Sequence, residues 1–151
     1  MATFHKIIIG DSRKMTEVEN ESVHLCVTSP PYWKLKDYGN NDQIGQADNS
    51  YESYFTSITE VFRECVRVLT PDGKIAINIM PIFLSGKNSK FGRRITKTLL
   101  SDLEIFFYSL SNMYFHSLFI WDKRKAVRIS SFGSYPSPTL NLRTNLPILF
   151  E

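Results

Sequence analysis

Six consecutive residues, Thr28-Ser29-Pro30-Pro31-Tyr32-Trp33, combine a hydroxyl, stiff backbone carbonyls and two flat aromatic side chains. Each proline locks φ at about −65° and donates no amide hydrogen, so the turn has little entropy left to lose. The Ser29 hydroxyl and the Pro30 carbonyl are two oxygen acceptors held side by side in the chain. That set suits an exocyclic amino group on a planar base. The lone pair of such an amine is delocalised into the ring, which makes it a poor nucleophile. Two acceptors drawing on its hydrogens favour a pyramidal nitrogen whose lone pair faces an electrophile, while an aromatic ring holds the base by stacking. The plain alternative is a polyproline-like surface turn with its aromatics in the core, which suits a bare Pro-Pro better than this six-residue set.

Such a turn needs a rigid mount. Residues 23–28 form a short apolar run that Ser29-Pro30-Pro31 must end, because prolines cannot continue an interior strand. Residues 6–10 are a second β-branched run, closed by Gly10-Asp11. Short runs of this kind read as strands buried on both faces, as in parallel sheets, where ligands bind beyond the carboxyl ends. The spacing of Tyr51, Tyr54, Ile58, Phe62, Cys65 and Leu69 predicts a helix over 51–69, with Asn49 as its cap and Glu52 reaching back. Thr70-Pro71-Asp72-Gly73 stops it, and 74–79 reads as the next strand. Beyond this strand–helix–strand unit, 82–91 reads as loop, 93–109 as a second helix and 114–121 as a strand. Residues 130–145 read as irregular and 146–150 as a last strand. The expected fold is α/β, one domain over 1–151, with a mostly parallel sheet and no internal repeat.

The 151 residues are 42% hydrophobic and 22% charged, which excludes disorder and fibrous classes. No apolar run reaches the roughly 18 residues that span a bilayer, and the start lacks a signal peptide's long apolar stretch. Two cysteines, Cys26 and Cys65, build no disulfide scaffold, so a cytoplasmic setting is expected. Cys26 falls inside a strand and Cys65 on a helix's apolar face, and both read as core rather than as nucleophiles. His5, His24 and His116 have no metal-ligand spacing, and no metal is expected. No phosphate loop or serine-nucleophile elbow is present.

The net charge is only +3, but it is segregated. Between 85 and 101 lie Lys87, Lys90, Arg93, Arg94 and Lys97 with no acidic residue, and between 123 and 150 lie Lys123, Arg124, Lys125, Arg128 and Arg143, again with none. Clusters of this kind suit a polyanion, since they release phosphate counterions, and equally suit solvated loops.

These motifs together resemble one family. Gly10-Asp11-Ser12, Thr28-Ser29-Pro30-Pro31-Tyr32-Trp33, Leu35-Lys36-Asp37-Tyr38-Gly39 and Gln43-Ile44-Gly45 match it in order, as do Arg67-Val68-Leu69-Thr70-Pro71-Asp72-Gly73, Ala76-Ile77-Asn78-Ile79, Ile120-Trp121-Asp122-Lys123 and Phe132-Gly133-Ser134-Tyr135-Pro136. The sequence is similar to the amino-methylating DNA methyltransferases of restriction–modification systems, those modifying cytosine N4 or adenine N6. It resembles in particular the permuted, beta-type group whose catalytic half precedes the cofactor half. The resemblance implies a Rossmann-like methyltransferase sheet, S-adenosyl-L-methionine as cofactor and double-stranded DNA as substrate. By it, Ser29, Pro30, Pro31 and Tyr32 would be catalytic, and Asp11, Ser12, Thr28 and Ser29 would face the cofactor. Trp33, Lys36, Lys87, Lys90, Arg93, Lys123, Arg124, Lys125, Ser134 and Tyr135 would face DNA. Serine before Pro-Pro is more usual in the cytosine-N4 enzymes, which favours that target over adenine N6. For Asp11 a turn cap, and for Asn78 mere backbone satisfaction, stay open beside any role in the site.

The family's glycine-rich cofactor motif, Phe-x-Gly-x-Gly, has no counterpart, because this sequence contains no Gly-x-Gly. In the family's sheet the strands of that half lie between the strand ending at Gly10 and the one ending at Thr28. Their absence leaves edges and helix faces open. The expectation is therefore a catalytic half, either a split subunit completed by a second polypeptide or a truncated remnant. A catalytically silent DNA- or protein-binding fragment is the reading of a different class. A methyltransferase acting on RNA or protein amines is a weaker third.

Overall fold

The computed structural model describes residues 2–46, 50–121 and 148–150. Its centre is the expected strand–helix–strand unit: β1 (Val23–Thr28), α1 (Tyr51–Val68) and β2 (Leu69–Ile79). β1 and β2 are parallel, pairing Cys26 with Ile75 and Thr28 with Ile77. Between Val23 and Leu25 on β1 the partner on β2 jumps from Leu69 to Lys74, so Thr70-Pro71-Asp72-Gly73 forms a bulge. The turn residues therefore interrupt a ladder that resumes, and β2 starts directly at the end of α1 rather than after a loop. β6 (Ile148–Phe150) pairs antiparallel with β2, and β5 (Leu118–Ile120) antiparallel with β6, giving the order β1-β2-β6-β5.

α1 buries Tyr54, Ile58, Phe62, Cys65 and Val68, the three-four stripe of its sequence. Tyr54, Ile58, Phe62 and Cys65 join Ile75, Ile77 and Ile79 of β2 and Leu99, Leu103 and Phe106 of α2 (Leu99–Tyr108) in one apolar cluster. Ser50 caps α1, its hydroxyl accepting from the Ser53 amide at 3.1 Å; the expected cap, Asn49, lies outside the described residues.

Two expectations are corrected. Residues 93–98 are not the first turns of a helix. Ile95–Lys97 form β4, antiparallel to β3 (Ile82–Leu84), in a separate two-stranded hairpin. Ile95 and Thr96 are β-branched and pair readily once Ile82–Leu84 lies opposite, so part of the expected 82–91 loop is also strand. Residues 6–10 make no ladder either: Phe4, Ile7 and Ile9 stand exposed. β-Branched residues favour extended backbone, but a strand needs a neighbour to pair with.

Candidate active site

β1 delivers the diproline turn to the carboxyl end of the parallel pair. Ser29 is exposed, Pro30 is buried, and Thr28, Ser29, Pro30 and Pro31 line a cleft of about 960 Å³. Asp11 and Ser12 lie on the same cleft, as do Asn40, Asp42 and Gln43 from the loop that follows Tyr38.

Hydrogen bonds set the direction of the Ser29 hydroxyl. The Tyr32 hydroxyl lies 3.1 Å from the Asn78 backbone carbonyl and 2.9 Å from Ser29 Oγ. A carbonyl can only accept, so the single phenolic proton goes to Asn78. Ser29 must then donate its own proton to the Tyr32 oxygen, and the lone pairs of Ser29 Oγ are left as acceptors. Asn78 thus contributes through its main chain. Its side-chain Oδ1 is sealed from solvent and has no donor among the described residues.

The turn is held from behind by α1. The Tyr54 hydroxyl, on a fully buried residue, donates to the Pro31 carbonyl at 2.6 Å. Burial pushes the Tyr54 phenol above its ordinary range, with a hydrogen bond from the Trp33 backbone opposing it, so the group stays a neutral donor. Trp33 takes the left-handed backbone, φ 46°, and packs edge-on to Tyr51 at 5.4 Å. Gly45 lies against that backbone: a Cβ there would come within 3.0 Å of Trp33 Cα and O, at a φ of +89°. Tyr51 in turn donates to Asp102 at 2.5 Å, and Lys97 sits 3.2 Å from the same carboxylate and 4.1 Å from the Tyr51 ring centroid. Burial and the neighbouring Asp102 push the Tyr51 phenol up.

A second set of contacts brings in the amino-terminal segment. Arg67 on α1 pairs with Glu64 at 2.9 Å and donates to the carbonyls of Met15 and Val18, while Glu64 accepts from the Met15 amide. The Arg67 hydrogen bonds hold the Glu64 carboxyl below its usual range. This clamp fixes the segment that carries Asp11. Asp11 accepts from the Arg13 guanidinium at 2.7 Å and from the Arg13 amide at 2.9 Å, which holds its carboxyl below the usual range.

Comparison with known proteins places the sequence in a family. Residues 23–147 match the DNA methylase family of the N6/N4 type. The chain belongs to this DNA methylase family. It is 43% identical over 82 residues to the type II methyltransferase M.SmaI of Serratia marcescens, covering 54% of this chain and 28% of that protein. Against M.SfiI of Streptomyces fimbriatus it is 34% identical over 100 residues, covering 62% and 24%. The chain thus spans about a quarter of the length of these relatives. Among solved structures, TTHA0409 of Thermus thermophilus, assigned as a DNA modification methylase and complexed with S-adenosyl-L-methionine, aligns with a TM-score of 0.64. The identity is 26%, over 94% of this chain and 52% of that one.

In this chain the sequence-derived site residues separate into four groups. Asp11, Ser12, Thr28, Ser29, Pro30 and Pro31 share the cleft, with Tyr32 hydrogen-bonded to its rim. Lys36, Lys87, Lys90 and Arg93 are exposed. Trp33, expected at DNA, is 7% exposed and packs among Tyr51 and Tyr54, so it supports the turn from inside. Lys123, Arg124, Lys125, Ser134 and Tyr135 lie outside the described residues. Tyr54 is legible in the sequence only as a member of the helix stripe. Its hydrogen bond to Pro31 has no local signal, because the two residues meet only through tertiary packing.

The cleft's volume and donor set fit a nucleoside-bearing cofactor, with hydroxyls, amides and carboxylates in a partly apolar wall. Both Asp11 oxygens on this cleft are already engaged by the Arg13 guanidinium. Among the described residues no His, Cys, Asp and Glu group could hold a metal ion, and no helix is long and apolar enough to cross a membrane.

Proposed function

We propose that this chain carries the amine-binding half of a DNA methyltransferase that modifies an exocyclic amine of a base turned out of the duplex, with cytosine N4 as the target. The observation that carries the reading is the hydrogen-bond chain from Ser29 through Tyr32 to the Asn78 carbonyl. It leaves Ser29 Oγ as an acceptor at the cleft, beside the turn whose Pro30 carbonyl is the second. S-adenosyl-L-methionine, when bound, supplies an electrophilic methyl group. The residues of this chain hold the amine. Ser29 Oγ and the Pro30 carbonyl accept hydrogen bonds from its two N–H groups, which favours a pyramidal nitrogen whose lone pair is free to face the methyl donor. The ring of Tyr32, fixed through its hydroxyl, lies at the base's plane. Thr28, Ser12 and Asp11 face the cofactor from the same cleft, and Lys36, Lys87, Lys90 and Arg93 face phosphates. The serine before Pro-Pro supports cytosine N4 over adenine N6.

Leu25 and Val27 of β1 and Ile7 and Ile9 of the amino-terminal segment are exposed. That supports completion by polypeptide carrying the Phe-x-Gly-x-Gly strands, supplied either as a separate chain or as further sequence of the same protein. The direct test is methyl transfer from labelled cofactor to duplexes whose only unmodified amine is cytosine N4 or adenine N6, with the completing polypeptide present. Ser29→Ala is expected to lower kcat by at least about 10²-fold with DNA affinity nearly unchanged, because that acceptor acts mainly in the transition state. Equal turnover by Ser29→Ala would overturn the reading in favour of a silent binding fragment. Transfer to adenine alone would move the target to N6.

A further inference from the structure

The β3–β4 hairpin carries exposed aromatic rings and cations in alternation. Phe91 is 63% exposed and Phe83 42%, and each has a cation over its ring: Lys90 Nζ at 5.2 Å from Phe91 and the Arg94 guanidinium at 5.8 Å from Phe83. The tip is tightly built. The Ser89 hydroxyl, on a buried residue, accepts from the Phe91 amide at 3.2 Å, and the Ser89 carbonyl accepts from Gly92 at 3.1 Å. Gly92 takes φ +63°, and Gly86 lies so close to it that a Cβ would fall 2.8 Å from the Gly92 carbonyl oxygen. Phe91 is therefore held outward by a closed knuckle.

The hairpin also has a position. β2 runs parallel to β1, with Thr28 opposite Ile77, so β3 leaves the sheet at the end where the diproline turn sits. Its second strand reaches back through Lys97, over Tyr51, to Trp33 next to Tyr32.

We infer that the Phe91 knuckle is a wedge for duplex DNA: the ring enters the base stack beside the target nucleotide while Lys87, Lys90 and Arg94 hold flanking phosphates. This rests on the amine-methylation reading and names the device that keeps the target base out. A base leaving the stack opens a gap, and an inserted apolar ring offsets the lost stacking, as minor-groove and architectural proteins do with Phe and Leu wedges. A cation over a ring neighbours both bases and backbone, which suits a nucleic acid in which π-faces and phosphates alternate.

The test is equilibrium binding of the full chain to a labelled duplex, intact or with one abasic nucleotide, across salt concentrations. The wild-type chain is expected to bind the abasic duplex several-fold more tightly, since the gap is already open. Phe91→Ala should lose that preference with an unchanged salt slope, and Phe91→Trp should keep it. Lys87→Ala or Lys90→Ala should lower the slope of log K against log salt by about one and weaken both duplexes alike. A Phe91→Ala chain that still prefers the abasic duplex removes the wedge. So does a hairpin whose variants leave DNA binding intact but lose binding to vesicles of anionic lipid. Either result leaves the methylation reading standing if Ser29→Ala still abolishes transfer, whereas active Ser29→Ala with an operating wedge would sink that reading alone.

Discussion

The two faces of β1 have opposite fates. One carries Cys26 and Thr28, continues across β2 as Ile75 and Ile77, and is covered by α1. The other carries Leu25 and Val27, which are 57% and 71% exposed. The sequence of β1 reads as a run meant to be buried on two sides, but among the described residues only one face is covered. Apolar composition states that a surface should be buried. What buries it is a matter of which elements share the polypeptide.

The contrast is sharpest in a pair of substitutions. Ile77→Ala, on the covered face, removes a 1% exposed side chain from the cluster and is expected to cost about 2–5 kcal/mol in urea unfolding. Val27→Ala is expected to change stability by less than about 0.5 kcal/mol in the same measurement. Equal costs would mean that Val27 is covered in solution. Val27→Asp sharpens the comparison from the other side: harmless to the chain by itself, it should weaken association with a completing polypeptide in a pull-down or by calorimetry, because it buries an unpaired charge in the joint.

Next in size is Gly45→Ala. Gly45 sits at φ +89° with Trp33 backbone 3.0 Å from where a Cβ would lie, so the substitution forces a left-handed alanine and pushes the loop off the turn. A loss of about 1–2 kcal/mol is expected from the backbone alone, with a change in Trp33 fluorescence as its environment opens. Tyr54→Phe is smaller. It keeps the ring and deletes only the donation to Pro31, costing about 1 kcal/mol. Because Tyr54 holds the turn rather than the base, methyl transfer should fall through kcat more than through KM. An effect on stability with none on kcat would make Tyr54 a packing residue only.

These elements also show what a sequence can and cannot disclose. α1 is legible because its apolar spacing is local and long, and the diproline turn because its chemistry sits in six adjacent residues. The β3–β4 hairpin is not legible. Its strands are three residues each, and the Ile95 that lines β4 also fits the apolar stripe of the helix that follows. Pairing of Ile95 with Leu84 decides between the two, and no local pattern reports a strand partner on the far side of a loop. The same gap separates Tyr54 as a helix residue from Tyr54 as the support of Pro31, and Asn78 as a strand residue from Asn78 as the carbonyl that orients Tyr32. Residues 6–10 show the converse: a clear strand pattern with no ladder to join.

The mildest probe needs no substitution. Cys26 and Cys65 place their sulfurs 3.7 Å apart, joining the covered face of β1 to α1. The Cys65 thiol, hydrogen-bonded to its neighbour, favours the Cys26 thiolate and lowers Cys26 to about 7; the same partnership, with burial, pushes Cys65 up. Only the thiolate alkylates. Labelling of the native chain by iodoacetamide should therefore fall on Cys26, rising as pH climbs through about 7 and levelling above it, with Cys65 silent until denaturant is added. Peptide mapping by mass spectrometry reads both sites in one experiment. Early labelling of Cys65 would mean that α1 lifts from β1, and that the covered face is no better sealed than the one bearing Val27.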